Sequence, residues 1–430
     1  MKAYFHTLGC KVNQYETQEM SENLSVNGIF RADSPENADI IVVNSCTVTQ
    51  ESTRKTKQAV RRLKKLNPNA VLVLTGCLPQ AFPEEADALH EADVIIGNKN
   101  NADLLSAVNR FFETGARVNS IIMHEVKKGD EYKGSGISSL DEHTRAYLKI
   151  QDGCNRFCSY CIIPTARGRS RSKPLNEIED ELKRLAGNGY KEIVFVGINL
   201  SAYGREIDLS LADAVEAAER QGGIERIRLG SLEPDHITDE LLGRLKKCGK
   251  LCPHFHLSLQ SGSNSVLKRM NRHYTAEEYL SIMEAVRKEF PDAAFTTDVI
   301  AGFPGESDEE FVETCEFIKK AGFQKVHIFP FSARKGTRAY DMDGQIEKQL
   351  KIKRCGILNE ICTEIRNNYL KENIGKTAEV LFEAAENGKV SGYTKSYLPV
   401  EVETTANLQG QIKTVRITSV GNDCCIGELI

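Results

Sequence analysis

Tryptophan is absent, and so is any apolar run long enough to span a bilayer. The first absence excludes nothing; the second leaves no candidate for a membrane-spanning helix. An excess of one charge is missing too. The 56 Lys and Arg against 60 Asp and Glu leave a formal net charge of -4, so the whole molecule carries no electrostatic signature of nucleic-acid binding. Thirteen cysteines, an odd number, weaken a disulfide framework. Met1-Lys2-Ala3-Tyr4-Phe5 enters a strand-like stretch at once, leaving no room for a targeting segment, so a cytoplasmic protein with reduced thiols is expected. At 430 residues and 47.9 kDa, two or three domains with sizeable cores fit.

Three sequence regimes follow one another. Residues 1 to about 113 alternate apolar runs (Lys2–His6, Asp39–Asn44, Val71–Thr75, Val94–Ile96) with helical patterns near Tyr15–Asn27, Thr49–Leu66 and Ala102–Phe112. That alternation predicts an open parallel α/β sheet. Residues 114–142 contain Lys127-Lys128-Gly129-Asp130-Glu131 and Gly134-Ser135-Gly136 and read as a mobile connection with one strand at most. Six more strands are expected at Tyr147–Gln151, Glu192–Gly197, Arg226–Ser231, His254–Leu259, Ala294–Ala301 and Lys325–Phe329. Helix-length intervals between them predict a partial (β/α)6 barrel, short of eight-stranded closure. A long, basic amphipathic helix from Gln345 to about Asn373 precedes short alternating runs that predict a small β-barrel.

Residues 154–161 read Cys-Asn-Arg-Phe-Cys-Ser-Tyr-Cys. Thiolates are soft ligands for zinc or iron–sulfur centres. Zinc sites usually open with tighter paired spacings, and no Cys-x-x-Cys pair follows nearby, the next thiols being Cys248 and Cys252. Three thiolates can instead hold three irons of a four-iron cluster and leave the fourth open to a substrate. Cys154, Cys158 and Cys161, with Tyr160 before the last, resemble the signature of the radical S-adenosylmethionine superfamily. The resemblance implies that S-adenosylmethionine chelates the open iron and is cleaved there to a carbon radical. It extends to later strand ends: Gly197-Ile198-Asn199, Ser231-Leu232-Glu233-Pro234, Gln260-Ser261-Gly262-Ser263 and Asp298–Glu306. Tyr160, Asn199, Glu233 and Gln260 are therefore candidate contacts to S-adenosylmethionine.

A second trio is dispersed. Cys10, Cys46 and Cys77 each lie just past the carboxyl end of a predicted parallel strand, among Gly, Ser, Asn and Thr. Parallel sheets bring such ends to one edge, so the three thiols can converge there; free cysteines are also often simply core residues. The remaining thiols read as core or incidental, the adjacent pair Cys424-Cys425 included.

The order of a three-cysteine α/β domain, a radical S-adenosylmethionine domain and a small barrel is similar to the methylthiotransferases over nearly the whole chain. Thr7-Leu8-Gly9-Cys10-Lys11-Val12-Asn13-Gln14-Tyr15-Glu16-Thr17, Ile162-Ile163-Pro164-Thr165-Ala166-Arg167-Gly168-Arg169, and Phe331-Ser332-Ala333-Arg334-Lys335-Gly336-Thr337 resemble the branch acting on N6-threonylcarbamoyladenosine beside the tRNA anticodon. The resemblance implies domains at 1–125, 140–370 and 371–430, the last an RNA-binding TRAM domain. It implies two [4Fe-4S] clusters, the auxiliary one on Cys10, Cys46 and Cys77. It further implies two molecules of S-adenosylmethionine, one a methyl donor and one a radical source, and attack at adenine C2. The partners implied are tRNA and an electron donor such as flavodoxin or ferredoxin; a monomer is expected.

For RNA contact the local charge matters. Residues 54–65 hold seven basic residues and no acidic one, and Arg167, Arg169, Arg171 and Lys173 follow the cluster motif at spacing two. Both could grip phosphates; the first could equally be a solvated helix face. From Lys371 to Ile430 there are six basic and eight acidic residues, so any grip there comes from arrangement. The rival readings are a methylthiotransferase for isopentenyladenosine or a ribosomal-protein aspartate, and an RNA-binding protein with structural metal sites.

Overall fold

The computed structural model describes residues 1–98, 103–121, 130–140, 143–386 and 388–430, without the side chains of 384 and 386. The expected start of the third helix at Ala102 and the Lys127–Gly129 stretch lie outside the described residues.

The N-terminal sheet is parallel throughout, in the order Phe30–Arg31, Lys2–Thr7, Ile40–Ser45, Val71–Gly76, Val94–Ile96, Val118–Ser120. Its central strands are apolar on both faces, as double coverage by helices requires. Ile40, Val42, Val71 and Val73 pack on one side against Met20, Leu24 and Val108. Ile41, Val43, Leu72 and Leu74 pack on the other against Ala59, Val60 and Leu63. The chain runs outward from Lys2–Thr7 to Phe30–Arg31 and returns to Ile40–Ser45, which makes the gap between Lys2–Thr7 and Ile40–Ser45 a topological switch point. Ligands of such sheets bind in that crevice, beyond the carboxyl ends.

Six parallel positions form the central unit. Arg226–Leu229, Glu192–Val196 and Ala146–Lys149 make one sheet, and Ser231–Leu232, His254–Leu257, Ala294–Ala301 and Lys325–Pro330 the other. The third strand changes sheet at Gly230. Among the described residues Ala146–Lys149 and Lys325–Pro330 are each paired on one side only, so the barrel is open. Strands Thr377–Glu386, Lys389–Thr394, Pro399–Glu403, Cys425–Leu429 and Ile412–Val420 close a separate five-stranded barrel around Val380, Val400, Val415 and Cys425. No described helix is long and apolar enough to cross a membrane.

Three expectations change. The first helix spans Lys11–Val26, with Cys10 as its N-cap, rather than starting near Tyr15. One part of it (Met20, Leu24) packs on its own sheet and another (Val12, Tyr15) enters the barrel core. The described part of the connection, 130–140, is pinned rather than loose. Carboxylates of Glu19, Glu22 and Glu181 accept backbone N–H bonds from Ser135, Ser138 and Ile137 at 2.5–3.0 Å, and Ile137 and Leu140 are buried. The long C-terminal helix is Lys348–Lys371, and its buried positions are Arg354, Leu358, Arg366 and Leu370 rather than a purely apolar stripe. Arg354 is neutralised by Glu306 and Asp308, and Arg366 by Asp423, all at 2.7 Å.

The small barrel is docked by two buried arginines from one strand. Arg226 donates to the carbonyls of Tyr393 and Glu379 at 3.0 Å. Arg228 donates to those of Lys395 and Thr394 at 3.0 and 3.2 Å, stacks on Tyr397 and pairs with the buried Glu192 at 2.8 Å. Replacing Arg228 by Met removes the 2.8 Å partner of the buried Glu192 carboxylate and leaves Arg226 4.0 Å away. It is expected to cost about 3–5 kcal/mol and to speed limited proteolysis between the barrels; an unchanged denaturant midpoint would show that the docking rests elsewhere.

Candidate two-cluster site

Cys10, Cys46 and Cys77 all lie at the carboxyl edge of the N-terminal sheet, past Lys2–Thr7, Ile40–Ser45 and Val71–Gly76. Three polar side chains stitch their loops together. Asn13 Nδ2 donates to the carbonyls of Leu8 and Ser45 at 2.9 and 3.0 Å, joining the Cys10 and Cys46 loops. Asn44 Nδ2 donates to the Asn13 carbonyl at 3.0 Å. Ser45 Oγ donates to the Thr75 carbonyl at 2.5 Å and accepts from Leu78 N–H at 3.1 Å, holding the short helix that begins with Cys77. Gly76 is required: at φ +96° a Cβ would lie 2.5 Å from the Ser45 carbonyl oxygen. The sequence marks Asn44 and Ser45 only as polar neighbours of Cys46 and gives Asn13 no role of its own, although buried polar residues beside strand ends are the available signal.

Burial pushes the Cys77 thiol up to about 12, and Cys46 and Cys10 push it the same way. The Cys46 thiol is raised by burial and then by Cys10. The Cys10 and Cys46 loops touch: a Cβ on Gly9 would lie 3.0 Å from the Cys46 Cβ. All thirteen thiols are free.

Cys154, Cys158 and Cys161 leave the first barrel strand in a loop sewn to residues 269–272. Ser159 N–H donates to the Met270 carbonyl at 3.0 Å, Ser159 Oγ to that of Arg269 at 2.9 Å, and Asn271 Nδ2 to that of Phe157 at 3.0 Å. Cys154 N–H donates to the Gly168 carbonyl at 3.0 Å. Gly153 permits this: at φ +71° a Cβ would collide with the Arg169 carbonyl. Donors point at the sulfurs themselves. Arg156 N–H lies 3.4 Å and Asn199 Nδ2 3.9 Å from Cys154 Sγ, and Arg272 Nη1 lies 3.2 Å from Cys158 Sγ. Arg272, absent from the sequence reading, is buried and also pairs with Glu233. Burial first, then Cys158, raises the Cys161 thiol to about 12.

Among the described residues no group of three or more His, Cys, Asp or Glu side chains is placed to hold a metal ion. The two thiol trios, with N–H donors on Cys154 and Cys158 in one and Asn98 Nδ2 3.7 Å from Cys77 Sγ in the other, fit iron–sulfur ligation, in which each thiolate takes a different iron and hydrogen bonds to sulfur tune the centre.

The other candidates are distributed unequally. Asn199 is beside Cys154. Tyr160 packs with Val266, Met270, Phe303 and Phe331. Gln260 has φ +71° and donates its N–H to the Asp298 carbonyl at 2.8 Å, a strained backbone for a residue with a Cβ. Glu233 is taken up by Arg272.

The four cations after the motif do not form a phosphate grip. Arg167 and Lys173 are each 1% exposed. Arg167 pairs with Glu16 at 2.7 Å and Asp152 at 3.1 Å, and Lys173 pairs with Glu181. Arg171 lies 3.5 Å from Asp152 and donates to the Arg167 and Arg169 carbonyls. Only Arg169 is exposed, over the ring of the exposed Phe157. On helix Gln50–Leu66, Arg54, Lys57, Arg61 and Lys64 all have carboxylate partners.

Cys77 and Cys161, held protonated by burial, should alkylate slowly. In metal-free protein at pH 8, iodoacetamide is expected to label exposed Cys10 first. Cys77 and Cys161 should lag and gain rate with each rise in pH, because only the thiolate reacts. Equal labelling of all three by peptide mass spectrometry would contradict this placement.

Two family models match the chain: the radical SAM superfamily over residues 148–318, and the uncharacterized protein family UPF0004 over residues 2–97. The threonylcarbamoyladenosine tRNA methylthiotransferase MtaB of Bacillus subtilis is 38% identical over 99% of this chain and 96% of its own length. The protein of that name from Thermotoga maritima is 38% identical over 97% and 94%. A tRNA-2-methylthio-N(6)-dimethylallyladenosine synthase of Clostridium botulinum is 34% identical over 99% and 96%. Among solved structures, the radical S-adenosylmethionine methyltransferase TsrM of Kitasatospora setae superposes with a TM-score of 0.57 at 12% identity, over 91% of this chain and 80% of that one, a likeness of fold. With relatives of this identity aligned from end to end, the chain belongs to the methylthiotransferase family of the radical S-adenosylmethionine superfamily.

Proposed function

We propose that this protein attaches a methylthio group to C2 of N6-threonylcarbamoyladenosine in tRNA. The observation that carries the reading is the pair of thiol trios, each at the carboxyl end of parallel strands, in a chain 38% identical to relatives named for that activity. The dimethylallyladenosine relatives, at 34%, are the second choice.

An aromatic C–H bond without an activating group resists polar substitution at neutral pH, so the difficult step belongs to cofactors. When bound, two four-iron clusters and S-adenosylmethionine would supply the sulfur, the methyl group and the carbon radical that this substitution needs. Cys10, Cys46 and Cys77 would hold one cluster, and Cys154, Cys158 and Cys161 the other, each leaving one iron without a protein thiolate. The chain's own part is to hold, orient and balance charge. Arg272 sets a cation against Cys158 while Glu233 fixes its guanidinium. Asn199 stands beside Cys154, where a ligand of the open iron would need a hydrogen-bonding neighbour. Arg169 and Phe157 offer an exposed cation and an exposed ring beside the cluster loop, a surface on which a base can stack. The reduced thiols fit a cytoplasmic location and an electron donor of the flavodoxin or ferredoxin kind.

Anaerobically reconstituted protein, given S-adenosylmethionine and a low-potential reductant, is expected to convert tRNA from a strain lacking this gene to the methylthio form of threonylcarbamoyladenosine, read by nucleoside mass spectrometry. It should leave isopentenyladenosine unchanged; the reverse pattern would move the protein to the other branch. Iron content should be about eight per chain, falling to about four when Cys10, Cys46 and Cys77 are replaced together by Ala. Unchanged iron would remove the auxiliary cluster from the proposal.

A further inference from the structure

Arg167 terminates the short helix Ile163–Arg167, which packs on the short helix Cys77–Ala81. Four of its five N–H donors are spent on groups from both domains. Nη1 meets Glu16 Oε1 at 2.7 Å and Asp152 Oδ1 at 3.1 Å; Nη2 meets Asn13 Oδ1 at 2.9 Å and Glu16 Oε2 at 3.0 Å. The fifth donor, Nε–H, is buried without a protein partner. A free buried Nε is not by itself a signal, since Arg226 and Arg354 share the feature. The neighbour is what distinguishes Arg167. The helix it ends packs on the helix whose first residue is Cys77, and the Asn13 it donates to bridges the Cys10 and Cys46 loops.

We propose that Arg167 donates its Nε–H to sulfur of the auxiliary cluster at Cys77 and is the positioning residue that ties the two cluster loops together. The inference rests on the preceding reading that Cys10, Cys46 and Cys77 hold a cluster. On the other trio the arrangement is already visible, where Arg272 Nη1 lies 3.2 Å from Cys158 Sγ. The link between the trios is short. Asn13, which accepts from Arg167, also accepts from Cys10 Sγ at 3.7 Å, and the residue after Arg167, Gly168, accepts the Cys154 N–H at 3.0 Å. A displacement of Arg167 therefore disturbs both trios. A cation and an N–H donor at cluster sulfur stabilise the more negative, reduced state, so their loss lowers the reduction potential.

The test uses the full chain with Cys154, Cys158 and Cys161 replaced together by Ala, so that any remaining iron belongs to the auxiliary trio. Iron should stay at about four per chain. With [15N]arginine in that protein, pulsed EPR of the reduced cluster should show an arginine-nitrogen coupling that Arg167→Met abolishes. Redox titration should place the midpoint lower in Arg167→Met than in the parent. Arg167→Lys should fall between them, restoring the charge but not the fixed fork. Absence of the coupling in the parent, its survival in Arg167→Met, or an unmoved midpoint in that folded variant would each overturn the inference. The labelled parent decides the matter even if Arg167→Met fails to fold. A protein without iron would overturn the two-cluster reading itself, a result distinct from bound iron lacking the coupling.

Discussion

Glu16, Lys149, Asp152 and Arg167 lie out of water in one contact between the N-terminal sheet domain and the open barrel. Lys149 reaches Glu16 at 2.7 Å and Asp152 at 2.9 Å, and Arg167 reaches the same two carboxylates at 2.7 and 3.1 Å. Burial alone would neutralise all four. Instead Lys149 and Arg167 hold Asp152 well below the ordinary carboxylate range, and Arg167 and Lys149 hold Glu16 below it. Such a network adds little net stability, since desolvation consumes most of the Coulombic gain. It does penalise misregistered docking, because any shift leaves an unpaired charge in the interior. The relative placement of the two thiol trios is set here: Glu16 is on the helix capped by Cys10, and Asp152 precedes Cys154 by two residues.

The same device recurs wherever the domains meet. Arg334, from the loop after the last barrel strand, donates to Thr47 and Thr53 hydroxyls at 2.6 and 3.1 Å and stacks on Phe82, next to the Cys46 loop. Arg226 and Arg228 clamp the small barrel through four carbonyls, and Arg354 and Arg366 anchor the long helix. Arginine suits this task because its fork satisfies several oxygens at once while remaining charged. The consequence for RNA recognition is substantial. Much of the cationic character that a linear count would assign to phosphate binding is spent inside the protein, and the near-neutral total charge leaves little in reserve.

The elements most legible in the sequence were those governed by local rules. Runs such as Ile40–Val43 and Val71–Leu74 announce strands covered on both faces, and Gly-Cys and Ser-Cys at their ends announce loops. The spacing of Cys154, Cys158 and Cys161 is a local pattern and needed no fold to be read. Arg167 and Lys173 were misread because their partners are distant in sequence: Glu16 lies in another domain, and Glu181 on the following helix. At spacing two with no acidic residue among them, the four cations look solvated until the chain is folded. Residues 134–140 misled for the same reason. Their backbone N–H groups find carboxylates on two remote helices, so polar composition alone could not distinguish a pinned strap from a loose one.

Charge balance gives the interior a direction. Without metal, the four central charges sum to zero and the raised thiols of Cys77 and Cys161 stay neutral, so the apo chain can fold without an uncompensated ion in its core. Loading thiolates into those positions adds negative charge where water is excluded. That is tolerable only where donors are already oriented toward sulfur, and here they are: Arg272 and Asn199 on one trio, and Asn98 Nδ2 3.7 Å from Cys77 Sγ on the other. The folded chain is thus preorganised for a more anionic occupant than the thiols themselves, which is the electrostatic requirement of a cluster site and not of a cysteine core.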